Sequence, residues 1–207
     1  MAISMTRPDA GRIAGLLTAI RFAAAPAVAG LLLIAAAFPG EAAIARSAAL
    51  ILFVLAALTD LADGFVARRF DAVTPLGAAL DHAADKALTS AALIGLSATL
   101  FPPYLAALAV VVIVRDVGVA GLREGLALSG KALPVDPTGK WKTVLLMIGL
   151  IAALTEAALL AFPPSGVADV AFMLTHIGLI GALGLALWSG WLYLARALRP
   201  DATTSAR

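Results

Sequence analysis

DLADGFVARRFDAVTPLGAALDHAADK, residues 60–86, sets two pairs of aspartates, Asp60 with Asp63 and Asp81 with Asp85, on either side of a short turn. Nearly unbroken aliphatic sequence, Ala48 to Leu58, leads into it, and a second apolar stretch follows Lys86. Carboxylates at the edge of apolar segments are costly, and their spacing decides how this chain is read.

Composition says where the chain lives. Of 207 residues, 62% are hydrophobic and 14% charged, with a mean hydropathy of +0.99. A soluble domain is nearer half apolar and a quarter charged. The apolar residues come in blocks of about 20, the length a helix needs to cross the hydrocarbon core. The expected fold class is all-α, a polytopic integral membrane protein with six transmembrane helices. The N-terminus lacks the basic region, short apolar core and cleavage site of a removable signal peptide, so none is expected. With no cysteine in the chain, disulfides, thiolate nucleophiles and cysteine metal sites are excluded.

Six spans are predicted, at Ile13–Ala37, Ala43–Phe70, Pro75–Leu100, Tyr104–Leu128, Lys140–Ala161 and Val170–Leu198. Pro39-Gly40, Pro102-Pro103 and Pro163 to Gly166 break the chain on one side. The N-terminus, the Arg68–Thr74 turn, the Arg123–Lys142 loop and the C-terminal tail lie on the other. Arg7, Arg12, Arg68, Arg69, Arg123, Lys131, Lys140, Lys142, Arg196, Arg199 and Arg207 all fall on that second side, and only Arg46 lies near the first. Positive residues mark the cytoplasmic face, so both termini are expected inside, in the cell inner (cytoplasmic) membrane. The pI near 9.3 then reflects topology and contact with anionic lipids, not nucleic-acid binding. Without a repeat or a long linker, residues 1–207 are expected to form one membrane domain, with a short N-terminal segment (1–12) and a flexible C-terminal tail (200–207).

Helical geometry brings the aspartates together. Thr74-Pro75 is a helix start, with Thr74 as N-cap and Pro75 at the first helical position. A tight antiparallel hairpin across this turn puts Asp63 and Asp81 roughly 10 and 9 Å from the turn, and Asp60 and Asp85 both at roughly 15 Å. Asp60, Asp63, Gly64 and Ala67 share an arc roughly 100° wide, while Gly77, Asp81 and Asp85 share roughly 80° of the partner helix. A central Asp costs on the order of 3 kcal/mol to insert into a membrane helix, and facing carboxylates repel one another. Four together favour a pair of divalent cations. All-oxygen ligands suit Mg²⁺ or Mn²⁺, whereas zinc would be expected to bring His or Cys. The alternatives are helix-end carboxylates solvated at the interface, or an ion pathway. A match in both depth and face favours the cluster. Small residues on the same faces leave room beside the metals, although small residues also serve close helix packing.

The string Asp60-x-x-Asp63-Gly64-x-x-Ala67-Arg68, then Gly77, Asp81 and Asp85, resembles the signature of the CDP-alcohol phosphatidyltransferase family at eight fixed residues over 26 positions. The resemblance implies six helices around a site at the cytoplasmic side, usually in a homodimer. It implies transfer of a phosphatidyl group from CDP-diacylglycerol to an alcohol, with release of CMP. It further implies that Asp60, Asp63, Asp81 and Asp85 hold two divalent cations. Asp60, Asp63, Gly64, Ala67 and Arg68, with Thr74 and Gly77, would form the CDP pocket, and Asp85 is the family's usual candidate for general base. A carboxylate that also binds metal is a weak base, so orientation is the other role open to Asp85.

VRDVGVAGLREGLALSG, residues 114–130, GKWKT, residues 139–143, and LLTAIRFAAAP, residues 16–26, resemble the phosphatidylglycerophosphate synthase branch of that family. The acceptor this implies is sn-glycerol 3-phosphate. Its dianionic phosphate requires fixed cations, and Arg21, Arg115, Arg123, Lys140 and Lys142 are the candidates. Positive-inside topology alone is the plainer explanation for any one of them, least so for Arg115, which sits in an apolar run beside Asp116. The chain departs from many relatives in having GRIAG at residues 11–15, where an Asn-x-Pro-Asn opening is common, and His82 after the third aspartate, where Pro is common.

His82 reads as a packing residue rather than a metal ligand, and His176 as a polar contact between helices. Trp141, Trp188, Trp191 and Tyr193 read as interfacial anchors, and the sets Gly121/Gly125 and Gly178/Gly181/Gly184 as helix contacts. Two further functions stand beside the leading one: the same chemistry on another acceptor, such as inositol phosphate or serine, and a metal-ion transporter. Against the transporter, the carboxylates gather on one hairpin, and neither an inverted repeat nor paired broken helices are present.

Overall fold

The computed structural model describes residues 7–70, 74–99, 103–130 and 137–197; of residues 7–10, 61–69, 103, 137 and 197 it describes the backbone alone. The described residues form six helices: α1 (Arg7–Ala37), α2 (Ala42–Arg69), α3 (Pro75–Thr99), α4 (Pro103–Leu128), α5 (Pro137–Leu159) and α6 (Gly166–Ala197). The protein is all-α and integral to the membrane.

Local chemistry explains where the helices start. At α3 the Gly77 amide donates to Thr74 Oγ1 at 3.0 Å, the N-cap expected of Thr74-Pro75. α5 starts at Pro137, three residues before the expected Lys140, because proline suits the first helical position. α6 starts at Gly166 rather than Val170: Ser165 caps it, its carbonyl accepting from the Ala168 amide at 2.9 Å. α1 begins at Arg7 and so takes in half of the segment expected to precede it. α4 ends beside Gly130, whose φ of 69° is the left-handed conformation that closes helices and favours glycine.

Five of the helices are long and apolar enough to cross a membrane. α3 is the sixth: its 25 residues would reach across, but its first half carries Asp81, His82, Asp85 and Lys86. Leu16, Leu55, Val114, Val117, Ile177 and Trp188 are exposed, as lipid-facing side chains must be when lipid replaces water as solvent. Inside, Phe53, Leu88, Leu93, Leu96, Leu105, Leu146 and Leu150 are fully buried in one core cluster.

The arrangement of the first three helices differs from the expected hairpin. α1 packs along both α2 and α3, which themselves meet only slightly. α1 thus lies between two helices that are consecutive in the chain. On the other side α5 and α6 form the closest helix pair. A Cβ on Gly178 would come within 2.7 Å of Gly149 Cα, so Gly149 and Gly178 let the two backbones approach as small residues do in membranes. Gly178 therefore serves contact inside the chain.

Candidate active site

Asp60 lies late in α2, and Asp81 and Asp85 in the first half of α3. Lys140 and Lys142 lie early in α5, and Arg123 and Tyr193 late in α4 and α6, with Arg21 and Arg115 near the middle of α1 and α4. Two cavities adjoin among these residues. One, about 570 Å³, is lined by Asp60, Asp81, His82 and Asp85, with Thr143, Val144, Met147, Ile148 and Ile151 of α5 opposite. The other, about 710 Å³, is lined by Lys86, Arg115, Asp116, Arg123, Lys140 and Tyr193 among others. His82 and Thr143 belong to both walls. An acidic chamber therefore opens beside a basic one.

In the acidic chamber one side chain of α1 joins α2 to α3. Arg21 Nη1 stands 2.9 Å from Asp60 Oδ1 and 2.7 Å from Asp81 Oδ1, and the Arg21 side chain is fully buried. Asp60 and Asp81 thus converge across α1 and around a cation, whereas the expected depths pair Asp60 with Asp85 and Asp63 with Asp81. Arg21, expected with the acceptor-side cations, stands here instead and does not line the basic cavity. Asp85 lines the same acidic chamber, one turn along from Asp81. The side chains of Asp63, Gly64, Ala67 and Arg68 lie outside the described residues, so the expected fourth carboxylate and most of the CDP pocket do too. Thr74 and Gly77 are placed, as the cap of α3.

A divalent cation fits this chamber by its donor chemistry. The groups that converge are carboxylate oxygens, the hard donors that Mg²⁺ and Mn²⁺ take, and a guanidinium nitrogen already bridges two of them. Positive charge is what the pair calls for. Among the described residues no group of three His, Asp or Glu side chains closes into a metal cage.

The basic chamber is organised around Asp116 of α4, a residue set beside Arg115 by the chain itself. Lys142 Nζ donates to both Asp116 oxygens at 2.8 Å, Arg115 Nη1 donates to Oδ1 at 2.9 Å, and Lys86 Nζ stands 3.3 Å from Oδ2. Lys142 is fully buried and Asp116 nearly so. Such groups are tolerated among membrane helices only when paired. α6 supplies the outer support. Ser189 Oγ accepts from Arg115 Nη2 at 2.8 Å, and Tyr193 Oη accepts from Arg123 Nη2 at 2.9 Å. The guanidinium carbons of Arg115 and Arg123 lie 5.5 and 5.2 Å from the Tyr193 ring centroid, within cation–π range. A Cβ on Gly190 would come within 3.2 Å of Arg115 Cγ, so glycine there lets Arg115 lie against α6.

Four of the five expected acceptor cations therefore gather in one place. Arg115, Arg123 and Lys140 line the cavity, and Lys142 lies behind them on Asp116. Tyr193 is no interfacial anchor: it is 1% exposed and holds two arginines, whereas Trp141, Trp188 and Trp191 are exposed. Sequence reasoning passed over Lys86 and Ser189. A lysine directly after Asp85 in a membrane helix needs an acidic partner, and that was the available signal; Ser189 offered none. His176 keeps to its own helix and α4, its Nδ1 2.9 Å from the Phe172 carbonyl and its ring 5.9 Å from that of Tyr104.

A model of the CDP-alcohol phosphatidyltransferase family matches residues 12–188. A Pseudomonas fluorescens protein named CDP-diacylglycerol–glycerol-3-phosphate 3-phosphatidyltransferase is 38% identical over 158 residues, 75% of this chain and 76% of its own length. A Bacillus subtilis (strain 168) protein of the same name is 36% identical, over 74% of this chain and 75% of its own length. One from Yersinia pestis (strain Pestoides F) is 35% identical, over 71% and 76%.

Proposed function

The chain belongs to the CDP-alcohol phosphatidyltransferase family, and from that premise we propose that it transfers the phosphatidyl group of CDP-diacylglycerol to sn-glycerol 3-phosphate. The products are phosphatidylglycerophosphate and CMP. The observation that carries the proposal is the adjoining pair of chambers, carboxylates in one and fixed cations in the other, which share the wall made by His82 and Thr143. The name of these relatives gives the same donor and acceptor.

Each chamber suits one substrate. The acidic chamber takes the donor's diphosphate, which carboxylates can bind only through cations; the family is in general dependent on a divalent metal. Asp60, Asp63, Asp81 and Asp85 would hold two Mg²⁺ or Mn²⁺ ions. When bound, these neutralise the diphosphate and stabilise the departing CMP. Gly64, Ala67, Arg68, Thr74 and Gly77 would line the nucleotide. In the basic chamber Arg115, Arg123 and Lys140 meet the acceptor's phosphate, Lys142 fixes Asp116 behind them, and Arg21 balances charge between Asp60 and Asp81. Asp85, on the acidic side of the shared wall, takes the proton of the attacking hydroxyl.

The same proposal places both termini and both chambers at the cytoplasmic side of the inner membrane, where the positive residues lie. It treats residues 1–207 as one membrane domain, which assembles as a homodimer. A test separates the roles. In Asp85→Asn, metal-dependent binding of CDP-diacylglycerol should largely survive while turnover falls by on the order of 10²-fold. Asp81→Asn should weaken donor binding together with turnover. An equal loss of donor affinity in both variants would leave Asp85 as one more ligand, and full activity in either would remove the site.

A further inference from the structure

Lys86 follows Asp85 directly in α3 and lines the basic chamber. Its ammonium lies 3.9 Å from Asp85 Oδ2 and 3.3 Å from Asp116 Oδ2, and its side chain is 21% exposed in the basic cavity. A charge-assisted N–H···O bond is best at about 2.7–2.9 Å, so neither carboxylate holds it closely. Lys142 contrasts with it, clamped at 2.8 Å to both Asp116 oxygens and fully buried. Arg115 is committed to Asp116 and Ser189, and Arg123 leans on Tyr193. Of the cations lining the basic chamber, Lys86 is the one that reaches toward Asp85.

We propose that Lys86 is a catalytic residue of the transfer, its ammonium donating a hydrogen bond to a non-bridging oxygen of the phosphate under attack. The proposal rests on the phosphatidyl-transfer reading. In the step itself, the acceptor oxygen bonds to the phosphatidyl phosphorus and its proton passes to Asp85. The bond from that phosphorus to the CMP oxygen breaks, and CMP leaves with the electron pair. Lys86 keeps its proton throughout. Its contribution is a fixed positive charge where negative charge gathers, the kind of preorganised stabilisation that acts on turnover more than on binding. The loose hold of Asp85 and Asp116 suits this role, because the ammonium can turn toward a phosphate while Asp116 keeps Lys142 and Arg115.

The test compares Lys86→Met and Lys86→Arg with the parent in detergent micelles, using CDP-diacylglycerol, Mg²⁺ and saturating glycerol 3-phosphate. Lys86→Met should lower kcat by on the order of 10²-fold, with KM for CDP-diacylglycerol and Tm close to those of the parent. Lys86→Arg, which keeps the charge, should recover most of the loss. A kcat for Lys86→Met within about threefold of the parent would overturn the proposal. So would an equal loss in Lys86→Arg, or a fall in Tm with both KM values rising together, since these mark a lysine that only balances Asp116. If the parent releases no CMP with glycerol 3-phosphate, it is the acceptor reading that has failed. The same ratios are then taken with serine or inositol phosphate, and the same limits decide on Lys86.

Discussion

Removing the Asp116 carboxylate should unfold the protein far more readily than its size suggests. Asp116 accepts two 2.8 Å hydrogen bonds from Lys142 and one of 2.9 Å from Arg115, with Lys86 at 3.3 Å. Lys142 is fully buried, so Asp116→Ala strands an ammonium where water cannot reach it. Breaking a buried pair from one side costs about 3–5 kcal/mol, and for a chain of this length each kcal/mol moves Tm by about 2–4 °C. The expected loss is therefore roughly 6–20 °C in a detergent melt followed by circular dichroism. Lys142→Met should cost less, because Asp116 keeps Arg115 and Lys86. The double variant Asp116→Ala/Lys142→Met should be more stable than Asp116→Ala alone, with a coupling of about 1–3 kcal/mol. A Tm for Asp116→Ala within about 2 °C of the parent, or strictly additive losses, would refute the claim that this pair organises the basic chamber.

Two further outcomes are expected at the acceptor end. Arg115→Met should raise KM for glycerol 3-phosphate far more than KM for CDP-diacylglycerol in steady-state assays of CMP release; equal effects on both would make Arg115 a folding determinant. Tyr193→Phe keeps the ring under both guanidinium groups but removes the oxygen that accepts from Arg123 at 2.9 Å. A net hydrogen bond is worth about 1 kcal/mol, so KM for glycerol 3-phosphate should rise about fivefold, with kcat little changed.

The acidic chamber was legible because it rests on local rules. Pro75 and its Thr74 cap locate the start of α3, the helical rise then sets the depths of Asp60 and Asp81, and the period sets their faces. Matching those depths across a hairpin did depend on α2 lying against α3, and there the structure differs. The place of α1 between α2 and α3 was not legible, because these helices are apolar on most of their circumference and a uniform surface carries no mark of its partner. Arg21 is the residue misplaced as a result: its charge was visible, but its carboxylate partners lie 39 and 60 positions away on α2 and α3. Tyr193 was misread for a related reason. An aromatic residue near a helix end in a membrane protein is usually an anchor, and only the meeting of α4 with α6 shows that its ring lies under two arginines. The basic chamber was half legible, since Arg115 beside Asp116 in an apolar run demands an explanation, but their link to Lys142 and Lys86 exists only once three helices are packed.

The most direct measurement is CMP release by the purified protein as each component is withheld in turn. Release is expected only when CDP-diacylglycerol, Mg²⁺ and glycerol 3-phosphate are all present, with phosphatidylglycerophosphate appearing in equal amount. Release that proceeds with serine or inositol phosphate but not with glycerol 3-phosphate, or that is unchanged when a chelator removes the metal, would contradict it.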